Sequence, residues 1–388
     1  MGIMILGGLL AAVWMYLAIE GWRAQRSVPV LREQPHRPEA PGEAPAAWPR
    51  VRLIAAARNE APGLEAAVQS WLALDYPALE IVLVNDRSTD QTGAIIERLA
   101  RSSPQVTRLQ VTHLPPGWLG KTHALALGAA HATSAWVLFT DADVRFHPQA
   151  LRRAVAYATE HGCDHVACLP GGTGGGWWLK SVEALFVLTF VLWVRPQHVA
   201  NPRHPASVGV GAFNLVRTEA YRAIDGHQRI ALRPDDDLKL GLLLKRHGFR
   251  QRLLDGAGLL SVTWYPTLRA MARGLEKNIF AGCDYRLGRF GFVVLGLLGL
   301  FCAPWAGVVL AHGVARGLFG AAAAIGLVMA GYAAFRFLGT WHVALGTPVS
   351  ALILACIYIR SVALTLRRGG IIWRDSFYPL AQLRRNRV

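Results

Sequence analysis

Apolar residues are distributed along the chain in two different ways. Long, nearly uninterrupted apolar runs cover residues 3–19, 290–312, 318–335 and 343–366. Runs of this length are typical of helices that cross a membrane. Between the first and second runs, short apolar segments of strand length alternate with segments of helical period. This alternation predicts an α/β domain with a mostly parallel sheet and right-handed crossovers.

The middle of the chain contains six segments with the pattern of strands. They cover residues 51–56, 79–86, 106–111, 135–140, 165–169 and 207–216. Helices are predicted at residues 63–74, 122–131, 151–161 and 267–280, and another ends near residue 101. A further apolar helix begins at Trp177 but carries Lys180, Glu183 and Arg195. We therefore expect it to lie at the membrane surface or under the sheet rather than to cross the membrane.

Positive charges next to the apolar runs predict the orientation of the chain in a membrane. No positive side chain precedes the first run, whereas Arg23 and Arg26 follow it, which predicts an outside N-terminus and a cytoplasmic middle. Three further spans would then put the basic tail outside, although arginine-rich tails stay inside. Either one C-terminal segment is therefore a re-entrant loop or one boundary is misplaced. The segment with Arg360 is a candidate for the re-entrant loop. The number of crossings remains open.

These patterns divide the chain into six parts. They are an N-terminal transmembrane anchor (1–22), a linker (23–50), an α/β domain (51–255), amphipathic interface helices (256–289), about three transmembrane helices (290–366) and a basic tail (367–388).

The composition narrows the class of protein. The 388 residues carry a formal net charge of +16 and are 53% hydrophobic, above the roughly 45–50% of aqueous domains. The five cysteines form no CxxC pair, which predicts reduced, structural thiols. No nucleic-acid motif is present, so we assign the positive charge to a membrane surface or anionic substrates and expect no nucleic-acid partner.

Two acids follow the strand at residues 135–140. Asp141 and Asp143 would lie at the carboxyl end of the sheet, where ligands bind in open α/β folds. Two adjacent carboxylates repel each other unless a cation lies between them, and oxygen ligands suit Mg²⁺ or Mn²⁺ shared with substrate phosphates. The alternative is a solvated turn in which the acids only end the strand.

Other polar residues stand at comparable positions. Asp86 ends the second strand, Lys121 opens a helix, and three acids, Asp235 to Asp237, precede another helix. Each also has a structural explanation: Asp86 as a helix-capping acid, Lys121 as an exposed first-turn lysine, and the acids as partners of a helix dipole. The helix at 267–280 carries a basic stripe that ends in Lys277, which is either a solvated face or a contact for phosphates.

Five short motifs, in the right order, give the chain a resemblance to a known family. They are Ala56-Ala57-Arg58-Asn59-Glu60, Val84-Asn85-Asp86-Arg87-Ser88-Thr89-Asp90, Gly120-Lys121, Asp141-Ala142-Asp143 and Asp236-Asp237-Leu238-Lys239-Leu240-Gly241. Over about residues 52–282 the chain resembles the inverting family 2 glycosyltransferases, which have a GT-A fold. It departs from the family where Ala56 replaces a proline, Asn85 replaces an acid, and Asp236 replaces a glutamate.

The resemblance implies a role for each motif. It implies that Asp237 is the general base, and that Asp141 and Asp143 hold Mg²⁺ or Mn²⁺. Residues implied on the donor nucleotide are Ala57, Arg58, Glu60, Asp86, Lys121 and Asp141. Residues implied on the acceptor or in support are Asp236, Trp118 and Lys277. A single carboxylate base without a covalent intermediate predicts inversion at the anomeric carbon.

The acceptor is inferred from a missing motif and two similar stretches. The Q-x-x-R-W motif of processive polysaccharide synthases is not found, and residues 116–121 and 274–278 resemble membrane glycosyltransferases of carotenoid- or hopanoid-type lipids. We therefore expect a UDP-sugar donor, a lipid acceptor, and a multi-pass protein of the cytoplasmic membrane whose catalytic domain faces the cytoplasm. The alternatives are a processive polysaccharide synthase and a non-catalytic membrane scaffold with a degenerate transferase domain.

Overall fold

The computed structural model describes residues 1–34 and 48–388, so residues 35–47 of the predicted linker lie outside the described residues. The described residues form two compact units. The sheet unit comprises Val28–Gly171, His198–Thr263 and Arg385–Val388. The helical unit comprises Met1–Ser27, Gly172–Gln197 and Trp264–Arg384.

Strands and helices alternate through the first half of the chain. The strands are β1 (Val51–Ala57), β2 (Leu79–Asp86), β3 (Val106–Val111), β4 (Trp136–Asp141), β5 (Arg145–Phe146), β6 (His165–Leu169), β7 (Gly171–Gly172), β8 (Asn214–Arg217), β9 (Gln251–Asp255), β10 (Leu260–Val262), β11 (Gly370–Trp373) and β12 (Ser376–Pro379). The helices are α1 (Gly2–Ser27), α2 (Ala61–Leu72), α3 (Thr92–Ser102), α4 (Gly120–Ala129), α5 (Ala150–Glu160), α6 (Trp177–Val194), α7 (Thr218–Ala223), α8 (Asp236–Arg246), α9 (Leu268–Leu275), α10 (Ile279–Gly282), α11 (Leu287–Phe301), α12 (Ala303–Leu310), α13 (Gly313–Leu338), α14 (Thr347–Arg368) and α15 (Leu380–Arg385).

The sheet unit is built on one seven-stranded sheet. Its strand order is β3-β2-β1-β4-β8-β6-β9. The prediction of a mostly parallel sheet is confirmed: β8 is the exception, antiparallel to both β4 and β6. In β1, Leu53, Ile54 and Ala55 are all fully buried, as expected of a central strand covered by helices on both faces.

The register of the central strands brings three loops to one edge of the sheet. Ala57 at the end of β1 is paired with Asn85 of β2, and Ala56 is paired with Asp141 of β4. The turn after β4 is held in place by Trp71 of α2, whose buried indole N–H donates a 2.9 Å hydrogen bond to the Val144 carbonyl. The loops after β1, β2 and β4 therefore share a fixed edge.

Two predicted elements differ from the structure. Of the strand predicted at residues 207–216, only Asn214 onward joins the sheet, as β8. The preceding backbone packs on α8 instead: a Cβ at Gly209 would overlap the Asp237 carbonyl group. The helix predicted at residues 267–280 is broken into α9 and α10. At the break, the Ser361 hydroxyl donates a 2.8 Å hydrogen bond to the Glu276 carbonyl oxygen.

The helical unit contains the apolar runs. By length and composition, α1, α13, the region of α14 and the region of α6 could each cross a membrane, and α11 with α12 passes the same criterion but is bent by 42°. Inside this unit the Trp14 indole donates a 3.0 Å hydrogen bond to the Leu300 carbonyl and stands edge-on to Phe301. A Cβ at Gly326 would lie 2.9 Å from the Trp14 ring, so the glycine permits α13 to approach α1 closely.

Candidate active site

A lysine joins three elements at the carboxyl edge of the sheet. The Lys121 Nζ atom lies 2.8 Å from Asp141 Oδ1 at the end of β4 and 3.5 Å from Asp236 Oδ1 at the start of α8. Burial opposes the charged form of Lys121, but the negative charges of Asp141, Asp236 and Asp237 outweigh it and raise its pKa. Lys121 is therefore the shared counter-charge of this acidic cluster.

The start of α4 is fixed by hydrogen bonds on both sides of Lys121. The Leu119 N–H donates to the Ala231 carbonyl oxygen at 2.8 Å, and the Thr122 hydroxyl donates to the same oxygen at 2.6 Å. These bonds attach the first turn of α4 to the segment that leads into α8. Lys121 and the acids of α8 are thus positioned by one local network.

Asp237 is held by two backbone N–H groups. Its Oδ2 atom accepts a 2.8 Å hydrogen bond from the Gly211 N–H, and its Oδ1 atom accepts one from the Leu238 N–H at 2.9 Å. Burial and the adjacent negative charge of Asp236 raise the pKa of Asp237, against the opposing charge of Lys121. Asp237 therefore has a fixed orientation and a higher proton affinity than an ordinary aspartate.

Gly211 connects the two acidic segments. Its N–H contacts Asp237, and its carbonyl oxygen accepts a 3.0 Å hydrogen bond from the Asp141 N–H. A Cβ at this position would lie 2.8 Å from Asp141 Oδ2. Sequence reasoning placed Gly211 in a strand and missed this role; the pair of glycines at positions 209 and 211, in an otherwise apolar run, was the available signal.

Asp143 lies beyond the end of β4 and is accessible to solvent. The surrounding protein reduces its solvation, and Asp141 and Glu60 add negative charge, so that its pKa is raised to about 7. Among residues 1–34 and 48–388, no three His, Cys, Asp or Glu side chains form a group that could hold a metal ion. Asp141 and Asp143 thus offer a divalent cation two carboxylates, and such a set fits Mg²⁺ or Mn²⁺ when phosphate and water supply the other oxygens.

Asp86 already has a partner in the structure. Both of its oxygens accept hydrogen bonds from the Arg87 guanidinium, at 2.8 and 3.2 Å, and the Arg58 Nη1 atom lies 4.0 Å away. Arg87 has a left-handed φ of 56°, which turns its side chain back onto its neighbour. The sequence predicted Asp86 and Arg58 at this edge. It predicted no role for Arg87, because the motif specifies no residue type at that position.

The loops after β1 and β2 are tied together next to this pair. The Thr89 N–H donates to the Asn59 side-chain oxygen at 2.9 Å, and the Glu60 N–H donates to the Thr92 hydroxyl at 2.9 Å. Ala57 is buried at the end of β1. These contacts hold the backbone of Arg58 and Glu60 beside Asp86.

A small cavity lies beside Lys121 and Asp237. Its lining comprises Lys121, Leu125, Phe139, Thr140, Gly211, Asn214, His227, Asp236, Asp237 and Leu240. His227 is buried with its Nδ1 atom 2.8 Å from the Tyr221 hydroxyl, and burial together with the charge of Lys121 lowers its pKa to about 3. His227 is therefore neutral, and no sequence pattern marked it.

Asp235, the first of the three acids at residues 235–237, has a structural partner. Asp235 accepts hydrogen bonds from the buried Arg233 guanidinium at 2.8 and 2.7 Å. This pair fixes the entry to α8.

Trp118, on the loop before α4, is half-buried and stands edge-on to His123 at 5.6 Å. Lys277 belongs to the helical unit, where its Nζ atom lies 3.8 Å above the Trp373 ring.

Comparison with known proteins agrees with the motifs. Residues 53–225 match the family model of glycosyl transferase family 2. The chain is 28% identical over 283 residues to a beta-monoglucosyldiacylglycerol synthase of Synechocystis sp., covering 69% of this chain and 57% of that protein. It is 23% identical over 244 residues to a 4,4'-diaponeurosporenoate glycosyltransferase of Staphylococcus haemolyticus, covering 60% of this chain and 62% of that protein. The matches thus span about three-fifths of the length of these relatives.

A solved structure with a similar fold is a mannosyltransferase from Pyrobaculum calidifontis, determined with GDP-Man and Mn²⁺. It matches with a TM-score of 0.53 and 21% identity over 94% of this chain and 98% of that one. The expected GT-A fold is therefore confirmed.

The lysine cluster makes a prediction about stability. In Lys121→Met, Asp141, Asp236 and Asp237 lose their counter-charge, so the pKa of Asp237, which is already raised, rises further above its unfolded value. Stability is then lost as pH rises from the unfolded to the folded pKa of Asp237. We expect the loss of unfolding free energy to grow between about pH 5 and about pH 8, to a size between the ~0–1 kcal/mol of exposed pairs and the ~3–5 kcal/mol of buried ones.

Thermal unfolding of the detergent-solubilised protein at several pH values measures this loss. Arg101→Met is the control, because it removes an exposed ion pair with Glu97. Its effect should be small at every pH. An equal loss for Lys121→Met at both ends of the pH range would contradict the role of Lys121 as counter-charge.

Proposed function

We propose that the protein transfers a sugar from a nucleoside diphosphate sugar to a hydroxyl group of a membrane lipid, starting from the match of residues 53–225 to the family model of glycosyl transferase family 2. The observation that carries the proposal is the convergence of Asp141, Asp236 and Asp237 on Lys121 at the ligand-binding edge of the sheet. The arrangement offers a cation for a leaving diphosphate and a carboxylate of raised proton affinity.

The leaving group is stabilised by positive charge. When the anomeric C–O bond breaks, its electron pair remains on the diphosphate, and the Lys121 ammonium is placed to stabilise that charge. Asp141 and Asp143 would hold Mg²⁺ or Mn²⁺, which neutralises phosphate charge when bound. Ala57, Arg58, Glu60 and Asp86 form the nucleotide side of the site in this proposal, and Arg87 orients the Asp86 carboxylate.

Asp237 is the general base in this mechanism. Its carboxylate accepts the proton of the acceptor hydroxyl while the hydroxyl oxygen forms a bond to the anomeric carbon. The Gly211 and Leu238 N–H groups fix its orientation, and Asp236 raises its proton affinity. One displacement by one base inverts the configuration at the anomeric carbon.

The names of the two relatives support a lipid acceptor. One is named for a diacylglycerol glycolipid and the other for a carotenoid acid. The helical unit of this chain, with its candidate spans, agrees with an acceptor in a bilayer. UDP-sugars are the first donors to test, and GDP-Man is the second because the similar solved structure contains it. Trp118 and Lys277 remain predictions for the acceptor side.

The return of the chain to the sheet unit supports a topology with an even number of crossings after Thr263. The four C-terminal residues belong to that unit, and Asn386 hydrogen-bonds the Leu232 N–H and the Arg229 carbonyl, each at 3.0 Å. An odd number of crossings would separate these residues from the rest of the sheet unit. In this proposal α13 and α14 cross and the bent α11–α12 pair is re-entrant. This differs from the expectation that the segment with Arg360 is the re-entrant one.

The same reasoning applies to α6. Gly171 before it and His198 after it both belong to the sheet unit, so a single crossing by α6 would divide one compact unit between two sides. The proposed topology therefore has α1, α13 and α14 across the cytoplasmic membrane. It places the catalytic domain and the basic tail in the cytoplasm, as expected from flanking arginines.

Transfer is tested by incubating membranes that contain the protein with labelled UDP-glucose, UDP-galactose and GDP-mannose, followed by lipid extraction and mass analysis. We expect one labelled glycolipid, dependent on a divalent cation. In Asp237→Asn, transfer should fall by about 10²–10⁴-fold while nucleotide affinity stays near wild type, because only the base is lost.

The control is Asp75→Asn, an acid that pairs with Arg152 outside the cavity. Wild-type transfer by Asp237→Asn would refute the assignment of the base. Label in polymer alone would indicate a processive synthase, and nucleotide binding without any transfer would indicate a scaffold.

Topology is tested with one added cysteine at a time in a Cys356→Ser background, which removes the exposed native thiol. Arg387→Cys in the tail and Thr107→Cys on β3 should react with a membrane-impermeant maleimide in the same vesicle orientation, since both positions belong to the sheet unit. Reaction in opposite orientations would mean an odd number of crossings.

A further inference from the structure

A short β-hairpin follows directly on the end of α14. Gly369, with a left-handed φ of 67°, ends the helix, and β11 and β12 then pair antiparallel. Arg374 and Asp375 form the turn and both have positive φ, at 47° and 66°. Such a turn matches the twist of the flanking strands, so the hairpin is a regular element and not a loose tail.

Both faces of this hairpin are apolar. Ile371 and Tyr378 are paired on one face and are buried, 3% and 7% exposed. Ile372 and Phe377 are paired on the other face and are 53% and 52% exposed. No part of the chain that the structure describes covers this second pair. Two large apolar side chains side by side on an open face mark a contact with something other than water.

The position of the hairpin relative to α14 is fixed. The Lys277 ammonium lies 3.8 Å above the Trp373 ring at the end of β11. Next to Lys277, the Glu276 carboxylate receives Arg360 at 3.0 Å and Arg368 at 2.6 Å, one on each oxygen. The segment between α9 and α10 therefore attaches the hairpin to the end of an apolar helix, inside the helical unit.

The charge around the hairpin is positive. Four arginines outnumber two acids in this region. The arginines are Arg360, Arg367, Arg368 and Arg374, and the acids are Glu276 and Asp375. Arg367 and Arg374 are exposed. An exposed apolar pair bordered by arginines, at the end of a membrane helix, fits the headgroup layer of a bilayer that contains anionic lipid.

We propose that the β11–β12 hairpin is an interfacial anchor, which inserts Ile372 and Phe377 among the headgroups of anionic phospholipids and places Arg367 and Arg374 on their phosphates. The proposal rests on the membrane location given under the proposed function. It adds a surface with a defined lipid preference at the end of α14. It does not depend on the transfer reaction.

The test places a fluorophore on the open face. Phe377→Cys, in a Cys356→Ser background and labelled with an environment-sensitive dye, is reconstituted as the full chain into nanodiscs of phosphatidylcholine with or without phosphatidylglycerol. We expect blue-shifted emission and quenching by brominated lipid several-fold stronger than for Thr107→Cys, an exposed position on β3 of the sheet unit. Quenching should be stronger with phosphatidylglycerol, and Arg367→Gln with Arg374→Gln should remove that difference.

Three results would overturn the anchor. They are water-like emission in both lipid mixtures, blue-shifted emission without bromolipid quenching (a second protein copy on this face), and quenching independent of phosphatidylglycerol. Sugar transfer is measured on the same nanodiscs. Transfer with a water-exposed probe refutes the anchor alone, whereas a lipid-embedded probe without transfer refutes the proposed function alone.

Discussion

The candidate site depends on one half-buried counter-charge. Lys121 lies within ion-pair distance of Asp141 and Asp236, and its charge also acts on Asp237. Without a cation at this point, the ends of β4 and α8 would bring three carboxylates together at a high electrostatic cost. The lysine makes this convergence possible, while burial and the charge of Asp236 raise the pKa of Asp237 against the opposing charge of Lys121. The ion pair is thus the link between the stability of the sheet edge and its chemistry.

The backbone around this pair is adapted to it. Gly211 contacts Asp141 and Asp237 from one position, and Gly209 permits the same segment to lie against α8. This close packing explains why residues before Asn214 leave the sheet. The acids are therefore positioned by main-chain groups, which have little freedom to move, while the lysine side chain supplies the adjustable charge.

The sequence predicted the central strands closely because apolar runs report burial directly. The ends of β1, β2 and β4 were expected within about a residue, so Asp86 and Asp141 were expected at strand ends, which is where the structure has them. The break between α9 and α10 was not predictable, because it involves Ser361, which is distant in sequence from Glu276. The pairs Arg233–Asp235 and His227–Tyr221 are local, but they depend on side-chain direction, which the sequence pattern does not report. The chemical roles of the site residues remain predictions.

Cation binding tests the central claim most directly. Lys121 contacts one oxygen of Asp141, so a divalent cation bound by Asp141 depends on Asp143 as the second carboxylate. Mn²⁺ binding is measured by electron paramagnetic resonance with and without UDP or GDP. The account predicts weak binding of Mn²⁺ alone, roughly tenfold or greater tightening by the diphosphate, and loss of that tightening in Asp143→Asn. Tight Mn²⁺ binding without nucleotide, or unchanged coupling in the variant, would contradict it.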